Sequence, residues 1–134
     1  MRIYILLFIL LVALNNCNDD NVTIIKSEKE LHNVQCMRLV IFPPNQFLET
    51  TMNKLYNFDG NCKYKLEVSQ KSGIVCNSNY NADKKALSNF PSGFIRLDLY
   101  NGRKIIYSYY RDLTHKTTKK DLQKAFKNLE ESIN

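Results

Sequence analysis

The chain has 134 residues, with 19 lysines and arginines against 13 aspartates and glutamates and a net charge of +6. That length fits one domain able to bury a modest core. The basic residues are interleaved with acidic ones rather than gathered into the arginine clusters that phosphate recognition favours, so nucleic acid is not an expected partner, and four glycines, all at turns, leave no loop to cradle a nucleotide.

Met1 and Arg2 lead into an apolar run from Ile3 to Ala13, which ends at Leu14-Asn15-Asn16-Cys17. A positive start, about eleven apolar residues and a polar break have the layout of a secretory signal over residues 1–16, and the run is short for a bilayer-spanning helix of roughly 20 residues. The leucine three residues before Cys17 resembles the lipobox of bacterial lipoproteins, with Asn15 and Asn16 where small residues are usual. This resemblance implies that Cys17 is acylated, palmitate included, and becomes the first residue of a chain held to the membrane by its N-terminal lipid. The expected location is then the cell envelope, facing the periplasm. The alternative is secretion without a lipid, for which Asn21-Val22-Thr23 is a formal glycosylation acceptor.

Residues 17–32 are polar and lack the period of helix or strand, so they read as a flexible tether. Residues 33–134 form the single folded domain. Its first strand is expected from Val34 to Phe42, stopped by Pro43-Pro44. Asn45 can cap a helix to about Tyr56 that places Phe47, Leu48, Met52, Leu55 and Tyr56 on one face. From Cys62 to Val68 apolar residues alternate with charged ones, as in a half-buried strand, and Ile74 to Cys76 offers a short return strand. Residues 77–89 read as a polar loop with one helical turn.

Asn101-Gly102 between two strand-like runs predicts a hairpin with a two-residue type I′ turn. That turn sets Leu97 opposite Ile106 and Arg96 opposite Tyr107. Thr118 and Asp121 resemble a capping box before the apolar stripe Leu122, Ala125, Phe126, Leu129 and Ile133. The expected fold class is α+β: a mainly antiparallel sheet of four to five strands, with a helix after strand one and a C-terminal amphipathic helix.

Export favours disulfides. With Cys17 carrying lipid, Cys36, Cys62 and Cys76 can make one bridge; Cys62 with Cys76 closes the shorter loop between adjoining strands, and Cys36 with Cys62 is the rival. No CxxC occurs, and only His32 and His115 could complete a metal site, so no metal or cofactor is expected. Neither histidine adjoins a nucleophile with a third partner, and no small-molecule substrate is evident, so the chain reads as non-enzymatic.

The remaining candidate is an aromatic and arginine group on the hairpin. Tyrosine and arginine are enriched at protein interfaces, and strand alternation in the expected register separates Arg96, Arg103, Tyr107 and Tyr109 from the core residues Leu97 and Ile106. These four residues are the expected partner-binding set. The partner is expected to be an envelope protein, with this chain an accessory of a pilus, conjugation or secretion system or a periplasmic immunity protein. The alternative function is a secreted, disulfide-bonded effector or inhibitor.

Overall fold

The computed structural model describes residues 22–74 and 91–134. The signal segment, Cys17, Cys76 and the polar loop 77–89 lie outside the described residues. Of the expected return strand, only Ile74 is described; it is not in a strand, and its N–H donates to the Ser92 carbonyl at 2.7 Å.

The described residues form eight elements, in order β1 (Val22–Lys26), α1 (Glu28–Leu31), β2 (Arg38–Ile41), α2 (Gln46–Leu55), β3 (Tyr64–Lys71), β4 (Gly93–Asn101), β5 (Lys104–Leu113) and α3 (Lys119–Ile133). The strands form one mixed five-stranded sheet in the order β1-β5-β4-β3-β2. Among sheet neighbours β2 and β3 run parallel, as the helical crossover α2 between them allows; the other pairs are antiparallel. The α+β class, the helix after β2 and the C-terminal helix agree with the pattern of the sequence.

Local chemistry sets the element ends. The Asn45 side chain accepts from the Leu48 N–H at 3.1 Å and starts α2. Thr118 and Asp121 form a reciprocal capping box at the start of α3. Gly93 is required at the start of β4, where a side-chain carbon would overlap the carbonyl oxygen of Lys71. Gly102 opens the hairpin turn with φ +62°.

Strand alternation divides the sheet into two faces. One carries Tyr64, Leu66, Val68, Ile95, Leu97, Leu99, Tyr107 and Tyr109, and meets Leu48 and Met52 of α2 and Leu122, Ala125, Phe126 and Leu129 of α3 in a single core. Tyr56, Phe58 and Phe126 extend that core as a tilted aromatic cluster with ring centroids 5.0 to 6.2 Å apart. Phe47, expected on the packed side of α2, is instead 39% exposed.

Three expectations are corrected. The polar stretch read as a tether over 17–32 is not free from residue 22 onward: Val22–Lys26 adds an antiparallel edge strand to β5, and Leu31, the last residue of α1, is fully buried. The short Thr-Ile-Ile run suffices because β5 supplies a preformed ladder. The first domain strand is shorter than expected, starting at Arg38, because Cys36 turns to Cys62 and the Met37 carbonyl accepts from Asp59. The disulfide is Cys36–Cys62, with Cα atoms 5.9 Å apart, so Cys62 is not free for the favoured pairing with Cys76. The hairpin register also differs, with consequences for the site.

Candidate functional site

The turn of the hairpin is Gly102-Arg103, one residue later than the Asn-Gly reading, and Asn101 pairs with Lys104. Glycine with positive φ at the first loop position suits a type II′ turn. A bulge then inserts one more residue on β5, so that Leu99 faces Tyr107 and Leu97 faces Tyr109. An odd register shift sends side chains to the other face of the sheet. Tyr107 and Tyr109 are therefore in the core at 0% exposure, and the bulge lets Ile106 join them there. Of the four expected partner-binding residues, only Arg96 lies on the side of the sheet away from the helices. Arg103 lies at the exposed hairpin tip, and Tyr107 and Tyr109 are withdrawn from any surface role.

That open face is built from alternate residues of all five strands. Among the described residues no helix covers it. Phe94 of β4 stacks on Tyr110 of β5, with centroids 5.6 Å apart and planes at 26°. The Lys65 ammonium sits 4.1 Å from the centre of the Tyr100 ring and 2.9 Å from the Glu67 carboxylate. At the middle, Asp98 is only 4% exposed; Arg96 Nε reaches its carboxylate at 2.7 Å and the Ser108 hydroxyl donates to it at 2.6 Å. Ile25 of β1, opposite Ser108, and Ile105 of β5, opposite Tyr100, add apolar area at 67% and 42% exposure.

These contacts fix side chains that would otherwise be mobile. Arg96 is held by a buried carboxylate along one edge of its guanidinium, which leaves its other donors available. Burial, helped by Glu67 and Asp98, raises the Tyr100 phenol above its ordinary value. Burial and the hydrogen bond that its hydroxyl donates to Asp112 raise Tyr110 likewise. Both phenols thus stay neutral donors at physiological pH. The surface offers flat rings, oriented donors and two exposed isoleucines.

The remaining ionisable cluster has a structural task. Asp121 is 6% exposed and accepts from the Thr118 N–H at 2.8 Å and hydroxyl at 2.6 Å; Arg111 Nη1 and His115 Nε2 each lie 3.1 Å from its oxygens. Burial acts to raise its pKa, but the Thr118 hydrogen bonds and His115 outweigh it and hold the carboxyl below its usual range. His115 is thus tied to a helix cap. Among the described residues, no cluster of three His, Cys, Asp or Glu could hold a metal ion, and no helix is long and apolar enough to cross a membrane.

The sequence reading missed Lys65, Glu67, Ser108 and Ile25 as parts of this surface. Strand alternation alone puts Asp98 and Tyr100 on the face of Arg96, but only the bulge brings Ser108 and Tyr110 there, and the bulge has no sequence marker, while β1 was read as tether. Comparison with protein-family models, curated proteins and solved structures gives no significant match, so the surface is read from its own chemistry.

Proposed function

We propose that this chain is an exported, lipid-anchored envelope protein without enzymatic activity, whose open sheet face binds a protein partner. The observation that carries the reading is the pre-ordered aromatic and arginine surface of Phe94, Tyr110, Tyr100 and Arg96, bordered by exposed Ile25 and Ile105. Large rigid rings and an arginine anchored by a buried carboxylate supply contact area and hydrogen bonds with little side-chain entropy to lose, the pattern found at interface hot spots. The Cys36–Cys62 disulfide supports an oxidising compartment. The lipid at Cys17 rests on its place after the apolar run.

The test is site-specific photo-crosslinking in cells. A crosslinker at Tyr110 should give one discrete adduct, while the same group at Lys127 on the exposed side of α3 should give none, and Arg96→Ala should reduce the Tyr110 adduct several-fold. Equal adduct yields from the two faces would overturn the assignment.

A further inference from the structure

On the helical side of the molecule, away from the open sheet face, a groove runs between α2 and α3. Gln46, Phe47, Thr51 and Lys54 of α2 and Lys119 and Gln123 of α3 line it, and its volume is about 410 Å³. Sites for small ligands occupy roughly 300–1,000 Å³. Phe47, Thr51 and Lys54 follow one another at helical spacing, as do Lys119 and Gln123, so each helix presents one stripe to the groove. The stripe on α2 is not the one that meets the sheet, which is Leu48 and Met52.

Three observations point to an occupant. Phe47 is a large apolar side chain left 39% exposed beside a concave surface. Thr51 is only 5% exposed, yet its hydroxyl has no hydrogen-bond partner among the described residues. A buried hydroxyl without a partner is unfavourable, and an acceptor oxygen would relieve it. Lys54 and Lys119, finally, have no ion-pair partner among the described residues, and the groove places them on facing helices. Lys120 follows Lys119, and Lys116 lines a neighbouring cavity that also reaches Phe47.

We infer that the groove binds an amphiphilic monoanion of the alkyl carboxylate class. Its chain covers Phe47 and Leu55. Its carboxylate lies between Lys54 and Lys119 and accepts from the Thr51 hydroxyl. An uncharged alkyl chain would satisfy the aromatic ring alone, and a small inorganic anion the lysines alone; only a molecule with both parts answers all three observations. The site lies on the opposite side of the sheet from the proposed partner surface, so either reading can fail without the other.

Decanoate, kept below its micellisation threshold, is the probe, titrated calorimetrically into the purified full chain. Saturable one-to-one binding is expected. It should weaken roughly tenfold or more in Lys54→Glu/Lys119→Glu, a loss equivalent to one decade in Kd, and several-fold in Thr51→Val. Lys127→Glu should leave it unchanged, and decanol should bind far more weakly than decanoate. Amide chemical shifts of the wild-type protein, which need no variant, should move at Phe47, Thr51 and Gln123. Absence of saturable binding, an affinity untouched by the double charge reversal, or shifts confined to the open sheet face would overturn the assignment.

Discussion

Asp121 gathers more interactions than any other carboxylate among the described residues, taking hydrogen bonds from Thr118 at the cap of α3 and facing Arg111 of β5 and His115 of the connecting loop. Its folded pKa lies below the unfolded value, so folding favours the ionised form. The resulting stability is fully present above about pH 4, near the unfolded aspartate value, and is lost as the pH falls through the lower folded value. Asp121→Asn keeps an acceptor for the cap but removes the charge facing Arg111 and His115. Urea unfolding at neutral pH should show a loss of about 1.5–3 kcal/mol, the range for hydrogen bonds to charged groups, and the gap to wild type should narrow as the pH falls below the unfolded aspartate value of about 4. A gap that does not change with pH would mean that shape rather than charge holds this corner.

The hairpin shows how a single element decides which residues can act. With Tyr107 opposite Leu99 and fully buried in the core, Tyr107→Ala should cost about 3–5 kcal/mol as a large-to-small core change, whereas Ile25→Ala on the open face, at a side chain 67% exposed, should leave thermal stability nearly unchanged and weaken partner binding. Chemical denaturation of the two variants decides between the registers: if Tyr107→Ala is as stable as wild type, the ring is at the surface and the face assignment falls. Most of the elements from β2 onward were legible in the sequence. Period-two alternation marked β3, the Asn45 and Thr118 caps marked the starts of α2 and α3, and the Gly102 region marked the hairpin. What could not be read was register, because the turn sits one residue beyond the Asn-Gly pair and the bulge at Ile106, a residue that packs into the core, carries no marker in the local sequence. The site followed the register, so Arg96 was assigned to the right surface while Tyr107 and Tyr109 were not. The edge strand β1 was equally hidden, because five residues with four exposed side chains become a strand only when β5 offers its hydrogen bonds.

For the whole molecule, the Cys36–Cys62 bridge spans 26 residues of sequence that contain all of β2 and α2, so it ties the start of the parallel crossover to the strand that completes it. The loop-entropy relation gives about 3.5 kcal/mol for a closed loop of that length, and reduction should lower the unfolding free energy by about that amount. This pairing also fixes what is left for the other two cysteines. If Cys17 carries lipid, Cys76 has no cysteine to join within the chain; if the chain is secreted without lipid, Cys17 and Cys76 are both free to form a second bridge. Peptide mapping without reduction separates the two cases. The lipid-anchored reading requires the Cys36–Cys62 peptide, an acylated Cys17 peptide and a Cys76 thiol that reacts with alkylating reagent after denaturation. A Cys17–Cys76 peptide in the exported protein would remove the anchor and make the molecule a doubly bridged secreted domain, its open sheet face then meeting a partner in solution rather than at a membrane.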